Sequence, residues 1–308
     1  MTKLTRRQAL TTAAAAPLAA AMPGMTMAAN EMKGASMPPK FFRFKLGEYE
    51  VTTLLGGTTT RDNAQAIFGT NVSEAEFAEV SRANFIPADK AQFFFTPMLV
   101  DTGSELVLFD TGLSPEPLTA ALAAAGYSPE MVGKVVITHM HGDHIGGLMT
   151  GDGATFGNAE HVSGARENNY WAGAGNEGYD SKVRPLAERF KFIDEGGSVA
   201  SGITSVAAYG HTPGHMGYMI ESAGEQMMLF ADTANHYVWS LGYPDWEVRF
   251  DMDKAQAAAS RKRVMDMLAT DRIPAIGYHM PFPALGNVAP RGEGGYAWVP
   301  TSYQTYLD

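Results

Sequence analysis

The sequence predicts an α/β enzyme domain in which two mixed β-sheets pack face to face and helices flank them, an αββα sandwich. Three observations lead there. Short apolar runs of strand length alternate with amphipathic helical segments along most of the chain. Hydrophobic residues make up 45% and charged residues 18% of the 308, the balance of a chain with a large core rather than a disordered or coiled-coil one. A dense run of candidate metal ligands, Thr138-His139-Met140-His141-Gly142-Asp143-His144, follows directly on the short apolar strand expected at Lys134–Ile137.

In chain order, residues 1–29 read as a twin-arginine-type signal peptide, with Arg6-Arg7 ahead of an alanine-rich stretch and small residues near Ala28-Ala29. That segment is too short and too alanine-rich for a stable membrane anchor. It implies the twin-arginine export machinery as a partner and the periplasm as the destination. Residues 30–40, with Gly34, Pro38 and Pro39, read as a linker, and residues 41–308 as one catalytic domain.

Within that domain, Phe41–Leu46 and Tyr49–Leu55 flank Gly47-Glu48 as a hairpin. Ser73 with Glu76 three residues later forms a capping box that opens a helix to Asn84. Phe93–Val100 and Glu105–Phe109 are expected strands, and Pro115–Ala125 is a helix stopped by Gly126. Strands are further expected at Ile203–Ala208, Met216–Ile220, Gln226–Phe230 and Ile273–Gly277. A helix capped by Asp251 or Asp253 runs to about Leu268, with Ala255, Ala258, Met265 and Leu268 on one side.

Composition removes several function classes. A net charge of −10 with only 23 Lys and Arg leaves no basic surface for nucleic acid. There is no cysteine, so a disulfide framework, a thiolate metal site and a cysteine nucleophile are all excluded. Any metal must be held by imidazole and carboxylate.

The histidine cluster does not arise by accident: with eight histidines in the chain, a chance His-x-His-x-Asp-His is roughly a few in ten thousand. Residues i and i+2 of an extended segment point the same way, so His139 and His141 can grip one ion, while a tight turn at Gly142 swings Asp143 and His144 towards a second. Gly146 and Gly147 allow close backbone approach. One loop cannot fill two metal shells, and later loops that follow strands offer His215 (within Gly210-His211-Thr212-Pro213-Gly214-His215), Asp232 and His279.

In the order of these motifs, and in the turn Phe109-Asp110-Thr111-Gly112, the chain resembles the metallo-β-lactamase superfamily. The resemblance implies that His139, His141 and His215 bind one metal, that Asp143, His144 and His279 bind the other, and that Asp232 bridges both. It implies two divalent ions, zinc first, with iron, cobalt or manganese also compatible with this donor set. Asp110 and His211 are expected behind the ligands, as orienting groups. A narrower resemblance is to the methyl parathion hydrolase branch and its lactonase relatives, through Phe44-Lys45-Leu46-Gly47, Leu99-Val100-Asp101-Thr102-Gly103 and Gly295-Tyr296-Ala297-Trp298-Val299-Pro300. There the bridging aspartate usually follows glycine; here it follows Ala231.

The expected activity is hydrolysis of lactones or esters, with aryl phosphotriesters at the same site. A hydroxide between the ions would be the nucleophile, with Asp143 and Asp232 as the carboxylates that serve it. A β-lactamase, a thioester hydrolase or a non-catalytic metal-binding module on the same fold are the rival readings. Phe94, Phe95, Trp171 and Phe190 are the candidate apolar walls for a small neutral hydrophobic substrate. His161 reads as a surface or core histidine, His236 as a structural or pocket one. The 18 methionines read as core filler, and a homodimer is compatible with all of this.

Overall fold

Gly47 and Glu48 close the first hairpin, because β1 (Phe41–Leu46) and β2 (Tyr49–Leu54) pair antiparallel with Leu46 opposite Tyr49. The protein's structure is a computed structural model that describes residues 38–151 and 153–305. The segment read as a signal peptide, 1–29, and residues 30–37 of the expected linker lie outside the described residues. The described residues group into one unit.

After the hairpin come β3 (Thr58–Asp62) and the helix α1 (Glu74–Ala83), whose N-cap Ser73 accepts from the Glu76 N–H as the capping box requires. The single strand expected over 93–100 is instead two. β4 (Lys90–Phe94) pairs with β3 in a small separate sheet, and β5 (Met98–Asp101) joins the first large sheet beside β2. Pro97 lies at the break; it has no N–H to give a ladder, so the chain changes sheets there.

The first sheet continues with β6 (Leu106–Phe109), the helix α2 (Pro115–Ala124), β7 (Lys134–Ile137), the one-turn helix α3 (Gly142–Ile145) and a small hairpin of β8 (Met149–Thr150) and β9 (Gly153–Ala154). β10 (Glu160–Gly164), the helices α4 (Ala165–Ala172) and α5 (Glu177–Lys182), and β11 (Phe190–Ile193) complete it, in the order β1-β2-β5-β6-β7-β10-β11. The second sheet holds β12 (Ser198–Ala200), β13 (Ile203–Ala207), β14 (Met216–Ser222), β15 (Glu225–Leu229), β16 (Ala275–Ile276), β17 (Leu285–Arg291) and β18 (Gly295–Pro300) in sequence order. The helix α6 (Lys254–Asp271) precedes β16 and is capped by Asp253, which accepts from the Gln256 N–H.

Strand alternation sorts the core. Val100, Val107, Phe109 and Val136 join Met216, Tyr218 and Ile220 in one apolar cluster, while their neighbours Leu99, Leu108, Val135 and Ile137 pack with Leu118, Ala121 and Leu122 of α2 in another. The buried face of α6 is Ala257, Arg261, Val264, Met265 and Leu268. Ala255 is exposed and Ala258 half-buried, so the expected face is rotated, and the sequence pattern missed it because a buried arginine occupies its middle. A third apolar cluster, with Phe68, Phe77, Phe93, Phe95, Trp239, Trp246 and Tyr278, gathers the segment 64–68, α1, β4 and the segment after Asp232.

The turn after β6 seats the histidine loop. The Thr111 N–H and hydroxyl both donate to the His144 carbonyl at 2.8 Å. A Cβ on Gly147 would stand 2.1 Å from the Thr111 carbonyl oxygen, and one on Gly146 2.2 Å from that of Leu113. At Gly142 a Cβ would meet nothing within 4 Å, so the glycine requirement lies at 146 and 147 and not at the turn first expected to need it. Gly147→Ala is therefore expected to lower unfolding stability by about 1–3 kcal/mol through overpacking, with Gly142→Ala neutral or slightly favourable. Chemical denaturation of the two variants checks this, and equal effects would reject it.

Candidate metal centre

Four loops converge at one edge of the sandwich. His139 follows β7, with His141 capping α3 and Asp143 and His144 inside it. His211 lies between β13 and β14, Asp232 in the turn after β15, and His279 beyond β16. His139, His144, His211, Asp232 and His279 are buried, whereas the side chain of Asp143 keeps 23% of its surface.

Four of the five imidazoles at the centre are turned by fixed acceptors behind them. Asp110, held at φ +60°, receives the Thr138 N–H and hydroxyl and the His144 Nδ1–H, all at 2.9 Å. Because the Thr138 hydroxyl is spent on Asp110, its oxygen accepts from His139 Nδ1 at 3.1 Å. Asp251 accepts from His211 Nδ1 at 2.8 Å, and the Phe94 carbonyl from His279 Nδ1 at 2.8 Å. In all four rings Nε2 is left facing the centre, the arrangement in which a supporting acceptor fixes the tautomer of a metal ligand.

The atoms that face inward are short of partners, although Asp232 Oδ2 accepts from the Asn235 side-chain amide at 2.8 Å. His139 Nε2 and His211 Nε2 lie 3.1 and 3.0 Å from His141 Nδ1; one proton on His141 can serve only one of them, so the three nitrogens present surplus lone pairs to a common point. His144 Nε2 and Asp232 Oδ1 are buried with no hydrogen bond among the described residues and stand 3.4 Å apart. Asp232 Oδ2 is 3.3 Å from His211 Nε2 and 3.2 Å from His279 Nε2, and His279 Nε2 is 3.4 Å from Asp143 Oδ2. The possible ligand atoms fall into the groups His139-His141-His211, His139-His144-Asp232 and Asp143-His144-His279. Such a donor set fits two cations with Asp232 between them.

Electrostatics agrees. Burial pushes the His139 imidazole well below its ordinary range, aided by His144 and His211, and takes His141 down to about 3, so both keep their lone pairs. Burial also opposes charge on His279 and His144, yet Asp232 and the neighbouring carboxylates outweigh it, raising His279 to about 10 and His144 well above its ordinary value. For Asp232 the burial penalty is outweighed by His279 and His144, which hold its carboxyl well below the usual range. Positive charge is what these carboxylates demand, and protons supply it when cations do not.

The sequence profile of the metallo-beta-lactamase superfamily matches residues 96–275. The chain belongs to that superfamily. Among solved structures, AidC, a dizinc quorum-quenching lactonase in complex with a product, N-hexanoyl-L-homoserine, is similar at 28% identity and a TM-score of 0.79, over 85% of this chain and 98% of that one. The hydrolase AbOPH superimposes with a TM-score of 0.78 at 22% identity, over 87% and 99% of the two chains. A quorum-quenching N-acyl homoserine lactone lactonase does so with 0.57 at 18%, over 79% and 100%. These last two likenesses are of fold alone. A search of curated protein sequences finds no match.

As a superfamily hydrolase the chain departs from its sequence reading at one ligand. His215 was expected beside His139 and His141, with His211 behind, and the geometry reverses the pair. His215 Nδ1 donates to the Ala208 carbonyl and its Nε2 accepts the Asp232 N–H, both at 3.1 Å. Neither nitrogen is open, so His215 holds the backbone of Asp232 while His211 offers Nε2 to the cluster.

Two carboxylates central to the arrangement were missed. Glu167, fully buried in α4, accepts from Met140 N–H (2.9 Å) and Trp171 Nε1–H (2.7 Å) on one oxygen, and from Thr212 hydroxyl (2.7 Å) and Gly214 N–H (2.8 Å) on the other. Its one sequence signal is the Glu167–Trp171 spacing of one helical turn. Asp251, first read as a possible helix cap, instead joins His211 to buried Arg261, whose Nη2 is 2.7 Å away.

The pocket aromatics divide. Phe94 is half-buried and lines a cavity with His279; Phe95 sets its ring edgewise on His279 at 5.6 Å, and Trp171 on His141 at 5.9 Å. Phe190 does not belong with them. It packs on His161 and Phe192 in β11, opposite a part of β10 that pairs with Val135, at the other end of the strand from His139. His161 itself is a core histidine, fully buried, both ring nitrogens without partners among the described residues.

Two expectations follow from this geometry. His211→Ala should lower bound metal by about one equivalent per chain while His215→Ala retains more, read by elemental analysis of the purified variants; the reverse order would restore the first assignment. Ala231 stands at φ +46°, a conformation costing about 1–2 kcal/mol for a residue with a Cβ. Ala231→Gly is expected to raise unfolding stability by roughly 0.5–1 kcal/mol once the greater freedom of the unfolded glycine chain is discounted. An unchanged or lowered midpoint would show the turn to be unstrained.

Proposed function

We propose that the chain hydrolyses lactones and related neutral esters with two divalent cations, zinc foremost, held by His139, His141 and His211 on one side, by Asp143, His144 and His279 on the other, and by Asp232 between. The observation that carries the two-cation reading is the pair of facing ligand groups joined through the two oxygens of Asp232. Likeness to a dizinc lactonase supports the choice of lactone. The narrower resemblance to the methyl parathion hydrolase branch supports aryl phosphotriesters as slower substrates of the same site.

Cations bound there would make water a stronger nucleophile at neutral pH and polarise the scissile carbonyl. The chain's own groups do the rest. Asp110, Asp251 and the Phe94 carbonyl hold the ligand rings in place, so little reorganisation accompanies reaction. Asp143, the carboxylate with exposed surface, is positioned to take the proton released as water attacks and pass it to the departing oxygen. Phe94, Phe95 and Trp171 narrow the approach and exclude bulk water. The net charge of −10 disfavours anionic substrates.

Purified protein is expected to hold close to two equivalents of transition metal and to lose lactone and aryl phosphotriester hydrolysis together on chelation. Asp232→Ala should lose both metal and activity. One tightly held metal unaffected by Asp232→Ala would reject the bridging role, and a clear preference for β-lactams or an anionic thioester would reject the substrate class.

Export through the twin-arginine route to the periplasm is proposed from Arg6-Arg7 ahead of the alanine-rich stretch. Among the described residues no helix is long and apolar enough to cross a membrane. Replacing both arginines by lysine should strand the precursor in the cytoplasm; continued export of that variant would overturn the reading.

A further inference from the structure

A cavity of about 230 Å³ opens beside His279, room for several groups the size of a water molecule. Its walls are mostly apolar, with Ile86, Pro87, Phe94, Trp239 and Pro281 among them. His236 lines it as well, on the same short segment as Asp232.

The tautomer of His236 is fixed by its neighbours. Its Nδ1 accepts the backbone N–H groups of Val238 and Trp239 at 3.1 and 3.2 Å. Two donors on Nδ1 require a lone pair there, so in the neutral ring the hydrogen is on Nε2. The ring is clamped between Trp239, stacked at 4.1 Å, and Phe68 at 5.3 Å, and cannot turn to offer that hydrogen elsewhere. Nε2–H has no hydrogen-bond partner among the described residues, and the atom is not among the fully enclosed polar atoms left unsatisfied. Burial takes this imidazole down to about 3, so it stays neutral and keeps the one donor. A rigid, partnerless donor in an apolar cavity next to the reaction centre is the usual form of a specificity contact.

We propose that His236 Nε2–H is a specificity-determining donor to substrate, selecting lactones that carry a hydrogen-bond acceptor, such as an acylamino carbonyl, on the carbon beside the ring carbonyl. The inference rests on the lactone reading above. The apolar walls take the attached alkyl chain, and His236 takes the carbonyl between chain and ring. His236 is a binding residue in this account and moves no proton.

The bland alternative is that His236 only caps its own turn and stacks. Two substitutions separate the roles, since an asparagine side chain can keep an acceptor near Nδ1 and a glutamine side chain a donor near Nε2. The metal-loaded full chain is assayed on an α-acylamino-γ-butyrolactone and on a γ-lactone with an alkyl chain of equal length but no acylamino group. His236→Asn is expected to lower kcat/KM on the first about ten-fold or more, mainly through KM, and to leave the second within about two-fold. His236→Gln is expected to recover most of the lost discrimination. Equal losses on both lactones, or no loss on either, overturn the inference and leave the lactone reading standing. If His236→Asn does not fold, the wild-type preference between the two lactones and the His236→Gln value decide: no preference for the acylamino lactone overturns the inference. A wild-type enzyme inactive on both lactones overturns the lactone reading and this inference with it.

Discussion

Ligands from two different sheets have to arrive within about 3–4 Å of one another, and Glu167 is the group that ties them. Its two oxygens take four donors, two from the side of the histidine loop and its flanking tryptophan and two from the Thr212–Gly214 loop. A carboxylate with four donors and almost no solvent contact is a costly group to bury, and burial indeed raises its pKa against the pull of those hydrogen bonds. The cost is borne because no apolar residue could hold two backbone segments in register. If either loop slid, His139 and His141 would no longer meet His211.

The same logic repeats outward. Asp110 fixes Thr138 and His144 from the first sheet, Asp251 fixes His211 from the second, and Arg261 neutralises Asp251 while binding the carbonyls of Thr233 and Pro244. Removing one partner of a pair as buried as Asp251–Arg261 typically costs about 3–5 kcal/mol, so this support is fixed as firmly as the core. The side chains around the centre are thus each braced by buried partners, which favours a defined ligand geometry.

Much of the fold was legible because local rules governed it. The hairpin at Gly47-Glu48, the Ser73 capping box, the Gly126 stop and the strand entering His139 are each set by residues within a few positions. The centre was legible in outline, since the histidine cluster is sharply patterned, with later loops offering Asp232 and His279. What stayed hidden depends on contacts distant in sequence. His211 and His215 occupy one loop four residues apart, and only the Ala208 carbonyl and the Asp232 N–H decide which ring is closed. Glu167 and Arg261 look like ordinary surface-helix residues until the loops that cover them are in place. Pro97 did carry a local signal for the break between two strands, and the apolar run around it concealed that signal.

The third apolar cluster is separate from the two that hold the sheets together, yet it carries Phe93, Phe95, Trp239 and Tyr278 beside the centre. Its polar ties to the ligands are few, chiefly the Phe94 carbonyl to His279 and the Tyr278 hydroxyl to the Asp143 carbonyl at 2.5 Å. Changes in distinct cores tend to combine additively. Replacements at members of this cluster that line the cavity without touching a ligand, such as Trp239, can therefore accumulate over generations, reshaping what the catalyst accepts while the apparatus that cleaves it is inherited intact. A lineage with this layout can change diet without relearning chemistry.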